Sequence, residues 1–187
     1  MLEVVEILAV IGNLAYTVLM LLEKRVGWLF GIVASALGVW LFWEQEVFAQ
    51  VGLNAFYVAM GAYGWWNWGR GGDRDLPITR ASWRRHGLFV VLGAGGTLLL
   101  AWVLGLFPEA RFVGLDGFVT AFSLLATWLL ARKYLANWAY WIVADVVAVY
   151  LYLRLGLNWY AGLYVVYVGL SVSGLVRWQR QWQARQA

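Results

Sequence analysis

Cysteine is absent from the 187-residue chain, and histidine occurs once. The first absence excludes a disulfide framework, a thiolate metal site and a thiol nucleophile. A single histidine, His86, leaves metal or acid–base chemistry without partners, and it is expected in a loop. Charge is scarce as well, at 13% of residues, where soluble domains carry roughly a quarter. The start, Met1-Leu2-Glu3-Val4-Val5-Glu6, lacks the positive n-region of a signal peptide, so the first apolar run is expected to be a retained helix. What is present is apolar: 63% hydrophobic residues, 14 of them tryptophan, and a mean hydropathy of +0.69. The formal charge of +4 does not point to nucleic acid, because the basic residues sit between hydrophobic runs instead of clustering on one soluble face.

A membrane-spanning helix needs roughly 20 mostly apolar residues. Seven runs come close, at about 4–22, 28–43, 48–68, 87–106, 114–131, 138–154 and 158–178. The longest connection, Gly69 to His86, holds Gly71, Gly72, Pro77 and the arginines Arg70, Arg74, Arg80, Arg84 and Arg85. Lys24 and Arg25 follow the first run, Arg132 and Lys133 the fifth, and Arg177, Arg180 and Arg185 the seventh. The alternate loops hold only Arg111 and Arg154, beside Glu44, Glu46 and Glu109. Cytoplasmic loops carry the Lys/Arg excess. The expected topology is therefore an N-terminus outside and a C-terminus in the cytoplasm.

Sliding the chain on itself by 110 positions aligns the first three runs with the last three without a gap. Trp28 meets Trp138, Ile32-Val33-Ala34 meets Ile142-Val143-Ala144, Tyr57-Val58 meets Tyr167-Val168, Gly64 meets Gly174, and Trp68 meets Trp178. About 15 positions in about 68 are identical, where composition alone gives roughly five or six, and that excess marks a repeat. The expected fold is an all-α integral membrane protein of seven transmembrane helices in a 3+1+3 parallel repeat. Its parts are a first three-helix repeat (1–68), a cytoplasmic loop with a linker helix (69–110), a second repeat (111–178) and a cytoplasmic tail (179–187). Parallel repeats are a transporter design, with substrate near midplane between them.

Polar residues inside apolar helices mark candidate contacts, since a charge at bilayer depth costs about 2.5–3.5 kcal/mol on insertion scales. Asp145 is the one such charge well inside a run. Trp141 and Trp138 share its helical face, so a carboxylate lies beside indole rings, a cradle suited to an aromatic cation. The bland alternative is a structural Asp bonded to a neighbouring helix. Gln50, Asn54, Tyr57, Gly61, Gly64 and Trp68 form a matching stripe on the third run, and Tyr160, Tyr164, Tyr167, Ser171, Gly174 and Trp178 on the seventh. Ser35 occupies the repeat position of Asp145. Asp145, Trp141, Asn54, Tyr164, Trp138, Tyr57 and Ser35 are thus the candidate substrate-binding residues. Gly27, Gly31, Gly61 and Gly64 fit close helix packing better than ligand contact. Trp28, Trp43, Trp68, Trp159 and Trp178 lie near span ends, where an interfacial aromatic belt is expected. Gly93-Ala94-Gly95-Gly96 follows no strand and so is not a nucleotide loop.

Three strings carry a family likeness: Leu22-Glu23-Lys24, Tyr63-Gly64-Trp65-Trp66-Asn67-Trp68, and Ala131-Arg132-Lys133-Tyr134-Leu135-Ala136-Asn137-Trp138. In these, and in order along nearly the whole chain, the sequence resembles the PnuC family of vitamin transporters. The resemblance implies a SWEET-like fold in a bacterial inner membrane. It also implies facilitated uptake of a vitamin-like nucleoside or heterocycle, nicotinamide riboside first, with thiamine or riboflavin as alternatives. Two positions depart from the family pattern. Asn54 stands where members usually have Gln, and Trp141-Ile142-Val143-Ala144-Asp145 stands where several nicotinamide riboside members have Trp-x-x-x-Asn. No enzyme activity, cofactor or metal is expected. The expected partners are the small-molecule vitamin and membrane lipid; homo-oligomer formation and a receptor that binds without transporting stay open.

Overall fold

Each apolar run folds as a helix, within a few residues of its expected bounds at nearly every end. The computed structural model of the chain describes residues 2–45, 48–70, 76–108 and 110–186. Glu46, Gly71, Gly72, Arg74 and Glu109, and the side chains of Glu3 and Glu6, lie outside the described residues. Among the described residues there are seven helices: α1 (Leu2–Leu21), α2 (Gly27–Glu44), α3 (Phe48–Gly69), α4 (Trp83–Leu104), α5 (Val113–Ala131), α6 (Asn137–Arg154) and α7 (Asn158–Ala184). Four of them, α2, α4, α5 and α7, are long and apolar enough to cross a membrane, and α1 holds a shorter apolar stretch, Ile7–Leu21. In α3 and α6 the apolar sequence is broken by Gln50, Asn54 and Asn67 and by Asn137, Asp145 and Arg154. The two helices richest in candidate contacts are therefore the least lipid-like by composition. The helices divide into two compact units, Met1–Pro77 and Ile78–Ala187.

In the first unit α2 packs against both α1 and α3. Helix α1 stops at Glu23, which takes a left-handed backbone (φ 56°). The Glu23 and Lys24 amides donate to the carbonyls of Met20 and Leu19 at 3.0 and 2.8 Å, the paired bonds of a Schellman cap. The Leu22-Glu23-Lys24 string is thus a helix stop, and it feeds α2 within three residues. Trp28, at the start of α2, is only 1% exposed. It meets Trp68 edge-on (5.6 Å, 89°), and its ring lies where a Cβ on Gly64 would have to go. Gly64 therefore lets α3 close onto an indole, and the indole fills the gap. In lipid, such packing replaces the hydrophobic drive that water supplies elsewhere.

The same devices occur in the second unit. Lys133 is left-handed (φ 52°), and the Lys133 and Tyr134 amides donate to Leu130 and Leu129 at 2.9 Å each. Trp138, 1% exposed, meets Trp178 edge-on (5.5 Å, 85°), with Gly174 giving it room. Helix α6 packs against α5 and α7, and α4 against α5. Phe89, Phe122, Ala126, Leu129, Ala136, Tyr140 and Ala144 form the core shared by α4, α5 and α6. Gly93, from the glycine-rich run inside α4, makes room there for the ring of Phe122.

Two expectations change, and one loop charge gains a structural role. Trp28, Trp68 and Trp178 are buried core residues and not an interfacial belt, because Gly64 and Gly174 open slots for Trp28 and Trp138, which Trp68 and Trp178 then meet edge-on. Trp43 and Trp159 are exposed, as belt residues would be. His86 sits in the first turns of α4 and not in a loop, because Ser82 caps the helix by accepting from the Arg85 amide (3.4 Å) and so starts it before the apolar run. Lys133, grouped with the loop charges, is 1% exposed; its carbonyl accepts from the Thr79 amide while Thr79 accepts from the Leu135 amide, both at 2.9 Å. The connection before α4 is thereby pinned to the α5–α6 turn, and Asn137 locks that turn from inside by donating to the Tyr134 carbonyl (2.7 Å).

Candidate functional site

Asp145 lies at the middle of α6 and is 3% exposed. An acidic side chain is held inside an apolar helix only when another polar group answers it. Here Ser171 of α7 donates its hydroxyl to Asp145 Oδ2 at 3.2 Å. Ser171 is equally buried, and it lies in the α7 stripe with Tyr164 and Tyr167. Sequence spacing placed Ser171 in the stripe but did not single it out; it stands 110 positions after Gly61, so the repeat that pairs Ser35 with Asp145 pairs a glycine with its partner serine.

Tyr164 is half-buried and stacks on Tyr152 of α6 (5.2 Å, 25°), while Tyr160 stacks on Tyr152 as well (5.4 Å, 23°). Tyr167 meets Tyr164 edge-on (5.7 Å, 67°). The α6–α7 pair thus carries a buried carboxylate–hydroxyl bond and, along the same helices, a ladder of tyrosines whose rings and hydroxyls suit a flat, hydrogen-bonding ligand. Tyr152 was not among the sequence candidates. Its signal was present, since it lies two helical turns after Asp145 (i, i+7), on the same face.

Trp141, one turn before Asp145, is half-buried and packs beside the α4–α5–α6 core. Trp138 is fully enclosed by Gly174 and Trp178. Its place in the structure is that of a wedge that sets the spacing of α6 and α7, and so of Asp145 and Ser171.

In the first unit Ser35 is buried, and Asn54 and Tyr57 are half-buried. Asn54 Nδ2 donates to the Gln50 carbonyl of its own helix (2.9 Å). The Asn54 amide lies so close to Gly38 that any side chain there would collide with it. Gly38 and Asn54 therefore form one joint between α2 and α3, and Asn54 is held back against its own backbone. Tyr57 meets Phe56 edge-on (5.9 Å, 69°). The glycines read as packing residues do pack: Gly27 faces Met20, Gly31 faces Tyr16, and Gly61 faces Ile32.

Among the described residues, seven helices, four of them long and apolar enough to span, with a carboxylate buried inside an apolar bundle, define a polytopic membrane protein built around polar sites. The model of the family described as nicotinamide mononucleotide transporter matches residues 3–180, and the chain belongs to that family. It is similar to the riboflavin/roseoflavin transporter RibM of Streptomyces davaonensis, at 26% identity over 178 residues, which cover 83% of this chain and 84% of that protein. It is also similar to the nicotinamide riboside transporter PnuC of Escherichia coli, at 24% identity over 202 aligned positions, 93% of this chain and 84% of that one. In fold it matches the crystal structure of the vitamin B3 transporter PnuC with a TM-score of 0.75 and 22% identity, over 95% of this chain and 81% of the other. By family, sequence and fold, the proteins it resembles are transporters by name.

Proposed function

We propose that the chain is a bacterial inner-membrane carrier that takes up a vitamin-like aromatic solute, nicotinamide riboside first. The observation that carries this reading is the buried Asp145–Ser171 pair, one helical turn from Trp141 and on helices lined by stacked tyrosines, in a chain of this family. A nicotinamide ring attached to ribose is flat and positively charged. A carboxylate beside indole and phenol rings attracts such a ring by charge and by cation–π contact, the latter worth about 0.5–2 kcal/mol. In this reading Asp145, Trp141 and Tyr164 are the second unit's contacts with substrate, and Trp138 holds their helices in register. Ser35, Asn54 and Tyr57 are the first unit's contacts.

The same reading takes all seven helices as spans in a 3+1+3 parallel repeat like that of the SWEET carriers, with α4 as linker. The matching left-handed stops at Glu23 and Lys133 and the matching Trp–Gly joints support it. The N-terminus lies outside. Supporting this is the Lys/Arg excess of the connections after α1, α3 and α5 and of the end of α7 over the alternate connections, which hold Arg111 and Arg154.

A second reading, riboflavin, rests on the similarity to RibM and on Asn54, whose short side chain leaves room for a larger ring. Titration calorimetry of the purified chain separates them. Nicotinamide riboside should bind tightest, and its phosphorylated form at least tenfold more weakly because the phosphate meets the Asp145 carboxylate. Tighter binding of riboflavin would transfer the assignment to the second reading, and binding of neither would remove both.

A further inference from the structure

At the end of the second unit where α4 begins, a cavity of about 170 Å³ opens between the connection, α4, the α5–α6 turn and α7. Its floor is apolar, formed by Leu135, Ala136 and Leu175, and its polar lining is Arg80, His86 and Gln179. This is a different place from the Asp145 site: on α7, Gln179 lies eight residues beyond Ser171. About 10–15 Å³ of such space already holds a water, so the cavity has room for a tetrahedral oxyanion with its water.

Arg80 and His86 are each set by contacts that leave hydrogen-bonding capacity in hand, and Gln179 is exposed at the rim. The Arg80 guanidinium lies over the Trp182 ring at 4.7 Å, a contact that places it at the cavity and leaves N–H groups for a ligand. Among the described residues no carboxylate pairs with it; the described acids of this unit are Asp116 and Asp145, both inside helices. The His86 ring stacks on Tyr140 (6.3 Å, 19°) and places Nδ1 3.4 Å from the Tyr140 hydroxyl, so the second ring nitrogen is available. Arg85 is held elsewhere, donating to the Tyr134 hydroxyl at 3.0 Å. Helix α4 starts three residues after Arg80, which adds its partial positive end to the same segment. The backbone is held too, since Thr79 is bridged to the α5–α6 turn.

We propose that this cavity binds a phosphate-bearing anion, with Arg80 as the charged contact and His86 and Gln179 as its hydrogen-bonding partners. Basic pockets between helices at a membrane surface take up lipid phosphates, and a free phosphate ester offers the same oxygens. The two sources have different consequences: a headgroup would anchor the start of α4, whereas a soluble ester would make the carrier responsive to phosphorylated solutes.

The test uses the full purified chain in detergent, stripped of lipid. In one arm phosphatidylglycerol is titrated in mixed micelles; in the other, inorganic phosphate and glycerol phosphate are titrated, with thermal stability and calorimetry as readouts. The expected result is saturable binding in at least one arm, weakened tenfold or more by Arg80→Gln and severalfold by Gln179→Leu, each compared with its own unliganded midpoint. Binding in the lipid arm alone identifies a headgroup site, and binding in both identifies a general phosphate site. Because Gln179 does not take part in the Arg80–Trp182 contact, its variant keeps the test decisive if Arg80→Gln folds poorly. Absence of binding in both arms, or binding that neither substitution changes, overturns the proposal.

Discussion

Trp138 presses on Gly174 and meets Trp178 edge-on, as Trp28, 110 residues earlier, presses on Gly64 and meets Trp68. Both indoles are buried within one turn of the start of a helix, and among the described residues neither indole N–H has a partner. An indole donor unpaired among the described residues of each unit costs stability, which is offset by the close helix approach that the ring and the glycine make together.

That joint should be intolerant of added volume. Gly174→Leu places a side chain into the Trp138 ring and should cost about 1–3 kcal/mol or more, the usual penalty of overpacking. Gly162 on the same helix has open space around it, so Gly162→Leu should be neutral. Thermal unfolding of the two variants in the same detergent compares them directly. Equal midpoints would mean that Gly174 does not set the α6–α7 distance.

The left-handed stop after α1 gives a second expectation. A residue without a side chain adopts φ 56° freely, whereas a β-branched one does not. Glu23→Val should therefore be less stable than Glu23→Gly by about 1–2 kcal/mol. A reversed order would show that the left-handed backbone at residue 23 does not limit the stability of the turn.

The bridge between Thr79 and the α5–α6 turn predicts an effect far from any helix core. Thr79→Pro deletes the amide that donates to the Lys133 carbonyl, a bond worth about 0.5–1.5 kcal/mol net. Limited proteolysis of the connection should quicken in Thr79→Pro and stay unchanged in Thr79→Val, which keeps the amide. Identical cleavage in all three proteins would remove the bridge as an anchor.

Helix positions were legible in the sequence because lipid demands long apolar runs. The start of α6 at Asn137 and of α7 at Asn158 fall 110 residues after those of α2 and α3. The tryptophans were not legible: a ring near a span end looks the same whether it faces lipid headgroups or a glycine, and only the packing of Gly64 and Gly174 distinguishes them. At the candidate site, Asp145 stood out because a charge in an apolar run is costly. Ser171 and Tyr152 did not, since serine and tyrosine are common in such helices and their roles depend on which neighbour they reach. Asn54 was readable as polar, but its bond to the Gln50 carbonyl and its fit against Gly38 depend on the approach of α2 and α3, which a single stripe does not encode.

The Asp145–Ser171 bond separates two roles for the serine. If Ser171 orients the carboxylate, Ser171→Ala should weaken binding of nicotinamide riboside severalfold, and Asp145→Asn by about tenfold, or about 1.4 kcal/mol. The double variant should lose little more than Asp145→Asn alone, because contacting residues are not additive. Full additivity in calorimetric titrations would show that the two act independently.

Uptake of labelled nicotinamide riboside into proteoliposomes containing the full chain tests most directly whether the chain carries a cationic vitamin with Asp145 as its charged contact. Saturable uptake well above that of protein-free vesicles is expected, with initial rates at sub-saturating solute about tenfold lower for Asp145→Asn, the loss expected of a desolvated cation contact. Uptake no faster than in empty vesicles, or an Asp145→Asn variant as fast as the native chain, would contradict it.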